Sequence, residues 1–222
     1  MLSRGLAILL LALWSAPGTT LSAQTPHQQH HPPENANEYI RSLEDPGREE
    51  WQQPERVVEA LGLTPGEAVA DLGAGSGYFT VRLARAVGPT GKVYAVDVEQ
   101  AMLDYLTRRA KQEQLANIQP VLAGAHDPRL PPASVDVIFI CDTLHHISDR
   151  ATYYPLLLRA LKPGGRLVNV DFKKNREITL GPPFAMRIAQ EDCAKEIEVG
   201  GFKLIQEFDF LKNQYFLVFQ RP

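Results

Sequence analysis

From residue 54 onward the chain alternates two hydrophobic rhythms. Short apolar runs at 68–70, 92–96, 118–122, 135–141 and 166–172 have the length and composition of strands. Between them, apolar residues recur at helical spacing: Val57, Val58 and Leu61; Val81, Leu83, Ala84 and Val87; Met102, Leu103, Leu106 and Ala110. Further helices are expected over 150–161 and 190–199. Pro54 suits a first helical turn, Gly62 a stop, and Thr64-Pro65-Gly66 a turn into the first strand. Gly88-Pro89 ends the helix that opens at Tyr78, and Lys162-Pro163-Gly164-Gly165 makes the turn before the fifth strand. Two last strands, over 202–210 and 214–220, flank Lys212-Asn213. Strand–helix alternation predicts an α/β fold, a doubly wound, Rossmann-like and mostly parallel sheet of seven strands with helices on both faces. The run Val135-Asp136-Val137-Ile138-Phe139-Ile140-Cys141 is apolar enough for a central parallel strand.

Upstream the rhythm changes. Tyr39, Ile40, Leu43 and Trp51 lie among many charges, which predicts one or two short helices interrupted by Pro46-Gly47. Residues 24–33 are Gln, His and Pro without periodicity, a linker. His27, His30 and His31 could hold a metal ion weakly there, but such a tract is ordinarily solvated, and no metal site is assigned. Arg4, the apolar run at 6–14 and the small residues up to Ala23 have the pattern of a secretory signal peptide, residues 1–23. The run is short for a membrane span, so export without stable membrane insertion is expected. The expected organisation is 1–23 signal peptide, 24–50 linker and N-terminal segment, and 51–222 the folded domain.

With 222 residues, 44% hydrophobic and 22% charged, the chain fits one domain plus extensions. A net charge of −3 offers no basic footprint for nucleic acid. The two cysteines, Cys141 and Cys193, form no C-x-x-C and exclude a disulfide scaffold.

The chemistry concentrates in Asp71-Leu72-Gly73-Ala74-Gly75-Ser76-Gly77-Tyr78-Phe79-Thr80, a glycine loop between strand and helix. Such a loop binds nucleotides or nucleosides at the carboxyl end of a parallel sheet. Its spacing is G-x-G-x-G, not the G-x-G-x-x-G of dinucleotide sites, and Asp71 at its entrance would repel pyrophosphate. Asp97 ends the second strand, where a carboxylate can accept from ribose hydroxyls or cap the helix that follows. In the first case its removal would leave stability almost unchanged.

These residues resemble the class I S-adenosylmethionine (SAM) dependent methyltransferases, whose first motif is D-x-G-x-G-x-G. The resemblance covers roughly 51–221. It implies SAM as cofactor, an antiparallel last strand, and an N-terminal segment folded as a lid. It also implies that Asp71, Gly73, Ala74, Gly75 and Gly77 cradle the methionine part, that Asp97 binds the ribose, and that Val98 lies beside the adenine. Gly124-Ala125-His126-Asp127 resembles the third motif; His126 stands where the usual aspartate falls, and Asp127 is taken as the adenine contact. Cys141-Asp142-Thr143-Leu144-His145-His146 corresponds to the fourth motif; Cys141, counted with the cofactor residues, reads as a small buried residue, Asp142 as a cofactor or substrate contact, and His145 and His146 follow the fourth strand at the edge where substrates bind.

An alcohol or phenol acceptor would need a general base, which His145 or His146 could supply; both could equally cap or pack. Asp171 ends the fifth strand at the same edge. The basic run Lys173-Lys174-Asn175-Arg176 suits an acidic substrate or a solvated loop, while Phe184, Met186 and Ile188 suggest an apolar wall and a small acceptor. The leading expectation is a methyltransferase acting on a small molecule. The alternative is an exported, non-catalytic SAM- or nucleoside-binding protein on the same fold.

Overall fold

Ala68–Leu72 forms β1, a strand whose last four residues are buried, and the sheet is laid out on either side of it. The computed structural model describes residues 35–222; the expected signal peptide and the His27, His30 and His31 tract lie outside the described residues. The remaining strands are β2 (Lys92–Asp97), β3 (Ile118–Leu122), β4 (Val135–Cys141), β5 (Leu161–Phe172), β6 (Lys203–Phe208) and β7 (Gln214–Gln220). They form one seven-stranded sheet in the order β3-β2-β1-β4-β5-β7-β6. β1 to β5 pair in parallel, whereas β7 runs antiparallel to both β5 and β6. Successive strands step outward from β1 in one direction to β3, then restart on its other side at β4. That reversal opens a crevice at the carboxyl ends of β1 and β4.

The helices are α1 (Ala36–Leu43), α2 (Arg48–Gln52), α3 (Pro54–Ala60), α4 (Thr80–Val87), α5 (Gln100–Gln112), α6 (Arg150–Ala160) and α7 (Gln190–Val199). Alternate strand residues serve opposite faces, as the pleat requires. Val69, Val137, Phe139 and Val168 pack with Val57, Leu61 and Leu83 on one side. Ala70, Leu72, Ile138 and Ile140 pack with Tyr154, Leu157 and Ile197 on the other. Phe139 is fully buried, its ring 5.0 Å from that of Phe79. Truncating such a residue typically costs about 3–5 kcal/mol.

Local chemistry explains where elements differ from their sequence readings. α4 starts at Thr80 rather than Tyr78, because Gly77 has φ +85 and Tyr78 and Phe79 complete the turn out of the glycine loop. β5 begins earlier than expected: Leu161 pairs with Val135, and pairing resumes at Arg166 opposite Val137. The Lys162-Pro163-Gly164-Gly165 turn is therefore a bulge within the strand, with Gly164 at φ +74. Pro120 is tolerated because β3 lies at the sheet edge.

Before the sheet, Asn35 caps α1 by accepting from the N–H groups of Asn37 and Glu38. Pro46-Gly47 separates α1 from α2 as the sequence suggested. Gln53 at φ +47 then turns the chain into α3, with Pro54 in its first turn. No helix among the described residues is long and apolar enough to cross a membrane.

Candidate functional site

The glycine loop follows β1 directly into the crevice. Its N–H groups are largely consumed by the protein. Gly73 and Ala74 donate to Val96 O at 2.8 and 3.0 Å, Gly77 to Ala74 O at 2.9 Å, and Gly75 to Asp97 Oδ2 at 2.7 Å. These four bonds fix the shape of the loop as a backbone wall of the crevice. Gly73 has φ +79, and a Cβ there would come within 2.2 Å of Thr143 Oγ1. Only glycine lets this strand end lie against the turn after β4.

Asp71, at the loop entrance, is 3% exposed. Thr80 Oγ1 donates to it at 2.5 Å. Burial pushes its carboxyl up to about 7; the Thr80 bond opposes the rise, the Asp97 charge adds to it, and the Arg48 charge lowers it. No cationic side chain among the described residues forms a salt bridge to Asp71. A buried carboxylate of this kind is a place for a cation, and the sulfonium and ammonium of SAM meet that requirement where a pyrophosphate would not.

Asp97 accepts from Gly75 N–H through Oδ2 and from Glu99 N–H, at 2.9 Å, through Oδ1. The ribose and capping readings are therefore not exclusive, because the carboxylate already ties the loop to the start of α5. The expectation that its loss would leave stability almost unchanged is corrected by these two bonds. Val98 beside it is 41% exposed, as is Leu122 at 40%, and Leu122 pairs with Asp97 across β2 and β3. Together they offer an apolar shelf next to Asp97, of the kind an adenine ring covers. Asp127 is exposed and turned into its own loop, where Oδ1 accepts from Arg129 N–H at 2.8 Å and its carbonyl from Gly124 N–H at 2.9 Å.

The turn after β4 holds the second cluster. Asp142 has φ +53, a strained conformation for an aspartate and a frequent mark of functional turns. Gln52 Nε2 donates to its Oδ2 at 2.9 Å and Gln214 Nε2 to its Oδ1 at 2.6 Å. Burial raises its pKa, helped by the Asp171 charge and opposed by Arg48, His145 and the Gln52 bond. His145 Nδ1 lies 2.9 Å from both oxygens of Asp171, with 2% of the His145 side chain exposed. A carboxylate accepts, so the proton of this bond sits on Nδ1, and in the neutral imidazole Nε2 is the nitrogen with the lone pair. His146 stacks on His145 with ring centroids 4.3 Å apart. The Cys141 thiol accepts from Gln52 Nε2 at 3.2 Å, and burial pushes its pKa well up, so it is no nucleophile.

Residues 36–52 close over both clusters, a role that no pattern in the sequence assigns to particular residues. Leu43 Cδ1 sits 3.0 Å from where a Gly75 Cβ would be. Glu44 accepts from Ser76 Oγ at 2.5 Å and from Arg109 at 2.6 Å. Glu49 pairs with Arg82 at 2.5 Å, and Trp51 stacks on Phe172 at 5.4 Å. Gln52 is fully buried and joins the lid to β4. The basic run after β5 is diverted from the crevice: Lys173 Nζ donates to the carbonyls of Leu211 and Lys212, and Arg176 lies 4.1 Å over the Phe184 ring. Arg187, 4% exposed, organises that loop by donating to the carbonyls of Pro182, Lys173, Asn175, Ile178 and Leu180.

A mixed seven-stranded sheet with an antiparallel penultimate position for β7, a G-x-G-x-G loop and a carboxylate at the end of β2 define a class I methyltransferase fold. Comparisons with known proteins agree. Residues 69–165 match a family model described as a methyltransferase domain. The ubiquinone/menaquinone biosynthesis C-methyltransferase UbiE of Ectopseudomonas mendocina (strain ymp) is 36% identical over 119 residues, 53% of this chain and 46% of that protein. The chain thus spans just under half the length of the curated relatives it matches first. A SAM dependent methyltransferase from Aquifex aeolicus superposes with a TM-score of 0.80 at 29% identity, covering 85% of this chain and 99% of that one. The geranyl diphosphate C-methyltransferase from Streptomyces coelicolor A3(2), solved with Mg2+, geranyl diphosphate and S-adenosyl-L-homocysteine, shares the fold with a TM-score of 0.66 at 16% identity, over 86% of each chain. Residues 69–165 are thus a methyltransferase domain, on a fold shared with SAM-dependent methyltransferases.

Proposed function

We propose that this protein moves a methyl group from SAM to a small-molecule acceptor bound beneath the lid, at the ends of β4 and β5. The observation that carries the cofactor is Asp71: a buried carboxylate in want of a cation, beside a glycine loop that already spends four of its N–H groups within the protein. Bound there, SAM supplies an electrophilic methyl on a sulfonium. The protein's part is to hold that centre with Asp71 and the loop, to fix the nucleoside with Asp97 and the Val98–Leu122 shelf, and to line up the acceptor. Asp127, the expected adenine contact, has its Oδ1 held by Arg129 N–H.

An acceptor that must lose a proton finds two carboxylates and an imidazole together after β4. The unprotonated Nε2 of His145, oriented by Asp171, is the base we assign, with Asp142 beside it. His145 is almost fully covered, so the acceptor meets it inside the closed crevice and not from solvent. His146 supports His145 by stacking. The small acceptor is supported by the shared fold of enzymes named for quinone biosynthesis and geranyl diphosphate methylation, and by the absence of a basic footprint in the net charge.

Calorimetry with SAM and NAD, followed by transfer of label from radiolabelled SAM across a panel of phenols, alcohols, amines and prenyl compounds, tests both halves. SAM binding with labelled product supports the reading. NAD binding without SAM binding overturns the cofactor, and SAM binding with no product above blank restores the non-catalytic binder. With a substrate in hand, His145→Gln should lower kcat by about 100- to 10,000-fold while leaving SAM affinity intact.

A further inference from the structure

Arg48 opens α2 and spends its donors within the lid. Nε and Nη2 donate to Gln52 Oε1 at 2.9 and 2.7 Å, and Nη1 donates to Leu43 O at 2.5 Å. The guanidinium lies 4.0 Å over the Tyr78 ring, at the exit of the glycine loop. Its charge acts on Asp71 at the loop entrance, on Cys141 and Asp142 at the end of β4, and on Tyr39 in α1. The Tyr78 ring that it covers leaves the glycine loop, and its partner Gln52 donates to Asp142 at 2.9 Å, so Arg48 stands between the two clusters of the crevice. Among the described residues it forms no salt bridge.

The neighbouring arginines are committed elsewhere. Arg82 binds Glu49 and Glu55, and Arg109 binds Glu44 and Glu113. The other ionisable groups named around the crevice are acidic, Asp71, Asp97, Asp142 and Asp171, beside the His145–His146 pair. This suits the cationic parts of a bound SAM and leaves its α-carboxylate facing negative charge. A guanidinium is the natural partner for that group, since its planar fork matches a carboxylate and keeps its charge at any working pH.

On the reading that the cofactor is SAM, we propose that Arg48 is the counter-ion of the cofactor's α-carboxylate. The lid is then part of the cofactor site and not only its cover. Ordering of residues 36–52 and binding of the amino-acid end of the cofactor become one event, transmitted through Gln52 to Asp142 on the acceptor side.

The test uses the full chain and two thioethers, S-adenosylhomocysteine and its decarboxylated analogue, which keeps the amine and lacks only the carboxylate. Wild type should bind the analogue about 10- to 100-fold more weakly, the range for a hydrogen bond between charged groups. Arg48→Gln should weaken S-adenosylhomocysteine by a similar factor, leave the analogue unchanged, and so erase the difference between the two ligands. Arg48→Lys should recover part of it. Equal affinity of wild type for both ligands overturns the proposal. So does an equal loss of both in Arg48→Gln, which would mean that Arg48 only packs the lid. Should Arg48→Gln fail to fold, the wild-type comparison and Arg48→Lys still decide. Failure of wild type to bind either thioether or SAM would instead strike the cofactor reading itself.

Discussion

Asp71 should be a residue that function needs and the empty fold would be better without. Its carboxyl titrates near 7 in the fold against its ordinary 3.8, chiefly because it is buried. A raised carboxyl pKa means that the folded state holds a proton which the unfolded state releases. Below about pH 4 both states are protonated and the group costs nothing. Between about pH 4 and 7 the cost grows, and above 7 it is complete. About three pKa units at 1.36 kcal/mol each give roughly 4 kcal/mol of lost stability at pH 8. Asp71→Asn removes the charge, and the amide oxygen can still accept from Thr80 Oγ1. Part of the gain will be lost to the new NH2 group, which leaves about 2–4 kcal/mol.

In melting temperature that is roughly 5–15 °C for a domain of this size. Thermal melts of wild type and Asp71→Asn from pH 4 to 8, without ligand, should show curves that coincide near pH 4 and diverge upward. Saturating SAM should then reverse the order at pH 8, because wild type gains binding energy that the variant lacks. The same reasoning predicts proton release when SAM binds near pH 7, visible as a dependence of the calorimetric enthalpy on buffer. A variant less stable than wild type at pH 8, or a gap independent of pH, would refute the argument from burial.

The other predictions are shorter. Asp97→Ala should weaken SAM about 10- to 100-fold and also lower stability by about 1–3 kcal/mol, since Gly75 and Glu99 lose an acceptor; denaturant melts with ligand titration separate the two effects. Gly73→Ala should abolish SAM binding and destabilise the domain, because the new Cβ meets Thr143 and φ +79 is strained; Thr143→Ala should restore only part of the stability. Export, which rests on residues 1–23 of the sequence alone, predicts mature protein beginning at Gln24; an intact Met1 on cytoplasmic protein would overturn it.

The sheet was legible because its cues are local and repeated. Val135 to Cys141 is apolar on both faces, as a strand with helices on each side must be, and it is β4. Even β3 was readable despite Pro120, since its short run is bounded by turn residues. What failed to show was the pairing of Leu161 with Val135 ahead of the Pro163-Gly164-Gly165 turn. That contact depends on the partner strand and not on the residues of the turn itself. The start of α4 differs from the sequence pattern for a related reason: Tyr78 and Phe79 fit a helical spacing, but the positive φ of Gly77 governs them.

The site divides along the same line. Asp71 with its glycines stands in one contiguous stretch, and Asp97 at a strand end, so both are visible in the sequence as candidates. The closing half of the crevice could not be, because it is assembled from side chains far apart in sequence. Gln52 meets Asp142 across 90 residues and Gln214 meets it across 72. In the sequence both glutamines look like ordinary polar positions, one at a helix end and one opening a strand. Asp142 itself was singled out, yet its two amide partners decide what it can do. With both oxygens held, its carboxylate keeps a fixed orientation, set on one side by a lid residue. The pattern Arg48-x-x-x-Gln52 is the one local trace of this: an i,i+4 pair on a single turn of α2, which lets one short helix address the glycine loop with Arg48 and the acceptor side with Gln52. Methyl transfer needs the two ends of that crevice to be formed together, and a five-residue helix that touches both is the element placed to make them so.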